Sequence, residues 1–148
     1  MNSNKFAGIL TSTYFAITVI LEVSGSLTLI NENNCSIVIY SLTALINLVY
    51  GPVFVSLMKY NDGIANRSSK LELYCSGAVS FLISIGIHMF SVSLLIASKF
   101  GSDYNLIVIL LYVSVMMGIV VSLCNLVWLY IAMVNGHLTR QPRNFIGV

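Results

Sequence analysis

Eleven of the chain's twelve charged residues sit in five short islands, and the stretches between those islands decide what the chain can fold into. The islands are Lys5; Glu32; Lys59 to Glu72; Lys99 with Asp103; and Arg140 with Arg143. They leave four apolar stretches, roughly 6–30, 35–58, 73–98 and 104–134, each at least 24 residues long. A helix needs only about 20 apolar residues to cross a ~30 Å hydrocarbon core. Backbone polar groups in lipid must pair within the protein, as a helix or a closed barrel allows. The period-two alternation of a membrane barrel is absent. The expectation is an all-α integral membrane protein, a four-transmembrane-helix bundle with short loops. It is read as a single membrane domain over 1–148, with a cytoplasmic loop at 59–72 and a cytoplasmic tail at 135–148.

Composition agrees. Only 8% of the residues are charged and 57% are hydrophobic. Mean hydropathy is +0.91. A soluble domain has about a quarter of its residues charged, and this chain has too few to cover itself.

Basic residues set the expected orientation. Lys5, Lys59, Arg67, Lys70, Arg140 and Arg143 fall on one side and Lys99 alone on the other. Cytoplasmic loops carry the Lys/Arg excess, so both termini and the 59–72 loop are expected inside. Trp128 and Tyr130, near the inner end of the last helix, suit an interfacial aromatic belt. A competing reading makes residues 1–25 a cleaved signal peptide with Val23, Ser24 and Gly25 at the cut. The long apolar run and the nearness of Glu22 argue against it.

Several smaller signals have plain alternatives. Asn34 heads a sequon on the expected outer side, close to the second helix, and is a candidate glycosylation site; a second sequon begins at Asn66. Cys75 stands at the inner membrane edge, where S-palmitoylation occurs, although an ordinary buried thiol fits as well. Cys35, Cys75 and Cys124 lie at different depths, which implies no disulfide framework. The ending Phe145, Ile146, Gly147, Val148 has apolar residues at the last and third-last places, a pattern that can extend a PDZ sheet edge.

Polar and small residues recur at three-, four- or seven-residue spacing on every helix, which places them on one face. The first carries Thr11, Thr18, Glu22 and Ser26 beside Gly25; the second Ser36, Tyr40, Thr43, Asn47 and Gly51. The third carries Ser76, Ser80, Ser84, His88 and Ser91; the fourth Ser114, Gly118, Ser122 and Asn125. Lipid tails are as apolar as leucine, so membrane helices associate through close packing of small residues and interhelical hydrogen bonds. The four stripes are expected to face one another, and Pro52 is expected to kink the second helix near Asn47. Glu22 and His88 lie on helices running in the same direction and at nearly the same depth, given ~1.5 Å per residue. They are expected to form a buried pair, with Asn47 as a third member of the cluster.

Function classes narrow by exclusion. There is no basic patch or RNA-binding motif, so no nucleic acid is expected as partner. The chain shows no phosphate loop and no metal-ligand spacing, and its only histidines are His88 and His137. Both aspartates lie in loops, away from any triad. No enzyme activity, metal or cofactor is expected.

The segment Ile20, Leu21, Glu22, Val23, Ser24, Gly25, Ser26 resembles the first helix of small multidrug resistance transporters. That resemblance implies a proton- and cation-binding role for Glu22, but the family's tryptophan-bearing third-helix pattern is absent. The overall plan is similar, in topology only, to MARVEL-type tetraspan proteins. The claudin Trp and Cys pattern is missing, and the short second outer loop has no room for a tetraspanin domain. The leading expectation is a non-enzymatic tetraspan protein that organises membranes by packing with the bilayer, with other membrane proteins or with itself as a homo-oligomer. The alternative is a small ion channel or proton-coupled transporter using Glu22, His88 and Asn47.

Overall fold

The computed structural model describes residues 3–59, 67–100 and 104–138. The Asn66 sequon, Asp103, Arg140, Arg143 and the ending at 145–148 lie outside the described residues. Four helices account for nearly everything else: α1 (Ser3–Ile30), α2 (Cys35–Lys59), α3 (Arg67–Phe100) and α4 (Tyr104–Leu138). Each contains a segment long and apolar enough to cross a membrane: Gly8–Ile30, Cys35–Leu57, Tyr74–Phe100 and Asn105–Ala132. These are the features of a multi-pass helical membrane protein.

Two helix boundaries differ from the expectation by more than a residue or two at the loop and tail ends. α3 begins at Arg67, not 73, and α4 continues through Leu138, past the tail expected from 135. Charge marks where the bilayer ends, not where the helix does. Lys70, Leu71, Glu72 and Leu73 are good helix formers, and extending an existing helix adds one bond per residue fixed. The 59–72 loop is correspondingly shorter. α2 runs unbroken through Pro52, whose side chain is exposed.

The α1–α2 connection is tight because both helix ends are capped locally. Asn33 N–H bonds to Thr28 O at 2.8 Å and Glu32 N–H to Leu29 O at 3.1 Å, closing the α1 C-terminus as a Schellman motif. The residue that must turn left-handed is Glu32, with φ 52°, where glycine would be unstrained. Asn33 then caps α2, its Oδ1 accepting from Cys35 N–H at 3.0 Å.

The helices form a square in chain order. α1 packs on α2 and α4, and α3 packs on the same two; α2 and α4 also approach across one diagonal, whereas the α1 and α3 backbones stay apart. Two apolar clusters fill the bundle. Near the chain termini the fill is aromatic: Tyr14, Tyr50, Phe54 and Phe81, with Leu129 and Ala132. Near the 31–34 connection Tyr40 is joined by Val92, Leu94, Leu95, Leu111 and Val115. Ile20, Leu27, Val38, Leu82, Leu106 and Met116 point outward instead, as a lipid-solvated surface requires.

Candidate functional site

The stripes turn inward. Thr18, Glu22, Thr43, Asn47, Ser84, His88, Ser91, Ser114, Ser122 and Asn125 are all buried. Gly118 is buried too, and Ser26, Gly51 and Ser80 are partly buried; Ser76 is exposed, outside the packed face. Between the two apolar clusters these groups form two hydrogen-bonded layers.

The first is an acid–imidazole layer. His88 Nε2 lies 2.8 Å from Glu22 Oε1, joining α3 to α1 across the open diagonal of the square. Ser122 Oγ on α4 donates to the same Oε1 at 3.0 Å. His88 Nδ1 sits 2.7 Å from Ser84 O, one turn back on its own helix. A carbonyl oxygen only accepts, so Nδ1 carries a hydrogen. The Nε2–Oε1 bond then holds one proton, on either atom: imidazolium with carboxylate, or imidazole with carboxylic acid. Both forms are neutral overall.

Small residues make room for this layer. A Cβ at Gly118 would sit 3.1 Å from His88 Nε2, and one at Gly25 would sit 3.0 Å from the Tyr40 ring. Tyr40 in turn lies beside the imidazole, ring centroids 6.4 Å apart. Further along, Ser91 and Ser114 hydroxyls meet at 2.6 Å and tie α3 to α4.

The second is an amide layer, and it corrects the expected cluster. Asn47 makes no hydrogen bond to Glu22 or His88. Its Oδ1 accepts from Tyr14 Oη at 2.9 Å and from Asn125 Nδ2 at 2.9 Å, while its Nδ2 donates to Thr43 O at 2.9 Å. Ser80 Oγ donates to Asn125 Oδ1 at 2.6 Å, completing a chain through all four helices. Depth along a helix places Asn47 near the membrane middle, but helix order decides its partners. Tyr14 was missed as a site residue because its ring reads as apolar. The available signal was its place in the stripe, three residues after Thr11 and four before Thr18.

The remaining candidates are at the surface. Cys75 is exposed near the start of the α3 span. Asn34 is exposed in the connection, where its Oδ1 accepts from Lys99 Nζ at 2.6 Å. No group of three or more His, Cys, Asp or Glu able to hold a metal occurs among the described residues.

Three oxygens stand out against this well-bonded interior: among the described residues, Glu22 Oε2 and Thr18 Oγ1, one turn apart on α1, and Tyr40 Oη on α2 are buried without hydrogen-bond partners. Of these, Glu22 and Thr18 border a cavity of about 340 Å³ along the α1–α4 seam, and Tyr40 does not line it. The chain matches no protein family, no curated protein and no solved structure, so the local likeness of residues 20–26 to a transporter helix has no family match behind it.

Proposed function

We propose that this protein is a non-enzymatic, multi-pass membrane-organising protein, acting through its intramembrane surface and not through a path along its axis. The observation that carries this reading is the burial of both polar layers across the bundle axis. Asn47, Asn125, Ser84 and His88 are each no more than 1% exposed and spend their polar atoms on neighbouring helices or their own backbone. A bundle filled in this way leaves no continuous water route past those levels. Partners would be lipids, other membrane proteins or further copies of the chain, since membrane helices recognise one another by packing and interhelical bonds. In this reading both termini face the cytoplasm, on the side holding most of the Lys and Arg residues.

A second reading is proton-coupled transport at Glu22. It is favoured by the unpartnered Oε2, because ionisable groups inside membranes often mark transport paths. Flux in proteoliposomes under an imposed pH gradient separates the two. The organising role predicts no proton or ion flux above empty liposomes. Flux in the wild type that disappears in a folded Glu22→Gln variant would replace it with the transport reading.

A further inference from the structure

Glu22 has two carboxyl oxygens, and the acid–imidazole layer uses one. Oε1 takes the bonds of His88 and Ser122, while Oε2 is buried and bare. Bare buried acceptors are rare in folded proteins because nothing replaces the water they lose. Whichever atom holds the shared proton of the pair, Oε2 remains an acceptor, so what it lacks is a donor.

The surroundings indicate where that donor comes from. Glu22 and Thr18, both 7% exposed, form the polar floor of the α1–α4 cavity. Its walls are apolar and lie on the outer surface: Phe15, Val19 and Val23 from α1 and Leu123 from α4. The same seam continues toward the chain termini as a recess of about 510 Å³, which shares Phe15 and Leu126 with the first. An apolar cavity of at least ~300 Å³ with a few convergent polar groups has the form of a small-molecule site.

We propose that this groove binds a lipid-soluble alcohol. Its apolar body lies between Val19, Val23 and Leu123, and its hydroxyl donates to Glu22 Oε2 while accepting from Thr18 Oγ1. Glu22 lines the cavity while its Oε2 is buried, so binding requires the carboxyl or a neighbouring floor side chain to change rotamer. A neutral hydroxyl suits this floor because it both donates, to Oε2, and accepts, from Thr18 Oγ1, and because it enters hydrocarbon without displacing the proton shared by Glu22 and His88. A second copy laid on this face would bring Phe15, Val19, Val23 and Leu27, none of which has a side-chain donor. The site goes beyond the organising role and does not depend on it.

The test uses the full chain in nanodiscs of phosphatidylcholine, whose headgroup has no N–H or O–H donor. A long-chain alcohol carrying a diazirine is the photolabel, and unlabelled alcohol, its methyl ether and the matching primary amine compete with it. The expected result is saturable labelling of segments 14–27 and 119–126, with the alcohol competing about tenfold or more better than the ether. That is the factor one hydrogen bond to a carboxyl acceptor supplies. Leu123→Trp and Val23→Phe, which fill the groove from opposite walls, should abolish labelling while the unfolding midpoint is kept. Equal competition by the methyl ether would overturn the proposal, because an ordinary acyl chain then suffices. Preferential competition by the amine would overturn it in favour of a cation, and chain-to-chain adducts at these segments in favour of a self-association face.

Discussion

The amide layer and the acid–imidazole layer use similar means to opposite ends. Each throws a side-chain bond across one diagonal of the square, Asn47 to Asn125 between α2 and α4, Glu22 to His88 between α1 and α3. In the amide layer the bonds close: Asn47 Oδ1 accepts twice, Asn125 Oδ1 accepts from Ser80, and Tyr14 donates its hydroxyl. In the acid layer Oε2 is left over, on a residue that lines the α1–α4 cavity. The difference teaches that burial alone does not mark a site in a membrane bundle. Twelve polar or charged residues are buried among the described residues, and what distinguishes Glu22 and Thr18 is an unpartnered oxygen on a residue that lines a cavity.

The contrast can be broken by unequal deletions. His88→Ala should be the most damaging change, costing about 2–4 kcal/mol, because it strips a buried carboxyl of its main partner and leaves a cavity. Asn125→Ala should cost less, about 1–2 kcal/mol, since interhelical hydrogen bonds in membranes average only ~0.6 kcal/mol each. Equilibrium unfolding in mixed micelles checks the order, and a reversal would mean that the amide layer is the stronger tie.

Close packing at two glycines sharpens the comparison. A Cβ at Gly77 would overlap the Phe54 ring, which is fully buried beside the amide layer. Gly77→Ala should therefore destabilise by about 1–3 kcal/mol through overpacking. Gly118→Ala should cost about 1 kcal/mol, by pushing the imidazole a few tenths of an ångström from Glu22. Thermal unfolding of both variants in detergent reads these changes. A neutral Gly118→Ala would show that the imidazole has slack.

Independence of the layers gives a finer test. The amide layer's hydrogen bonds run among Tyr14, Thr43, Asn47, Ser80 and Asn125, and the acid layer's among Glu22, Ser84, His88 and Ser122. A Glu22→Gln/His88→Ala cycle should therefore show coupling of about 1–2 kcal/mol, whereas His88→Ala with Asn125→Ala should add within ~0.5 kcal/mol. Strong coupling in the second cycle would merge the layers into one network. The smallest expected change lies outside both: Glu32→Gly should stabilise by up to ~1 kcal/mol, by relieving the left-handed backbone at the α1 cap. Its effect should be additive with every variant above.

How far the sequence discloses this architecture depends on which physical signal each feature leaves. Charge islands mark four apolar helices because lipid excludes charge, yet they misplace Arg67 and Leu138 because a helix does not end where the bilayer does. Stripe periodicity picks out Ser84, Ser91, Ser114 and Ser122, since a polar group that avoids lipid must face a neighbour. Equal depth brings Glu22 and His88 to one level, and the structure places them 2.8 Å apart. Depth gives no lateral information, so it assigns Asn47 to the wrong partners. Tyr14 and Phe54 hide among apolar residues. The groove leaves no sequence signal of its own, because it arises from how snugly α1 meets α4, which is a property of four helices together.

The single proton held between Glu22 and His88 has an electrical consequence. A full charge moved across a membrane potential exchanges about 2.3 kcal/mol per 100 mV. These two side chains are the acid and the histidine that sit deep in the spans, and together they sum to zero. A shift of the shared proton from Oε1 to Nε2 only reorients a dipole over the length of one hydrogen bond. The transmembrane voltage therefore finds almost nothing to pull on, and the bundle should hold the same conformation in a polarised membrane as in a depolarised one.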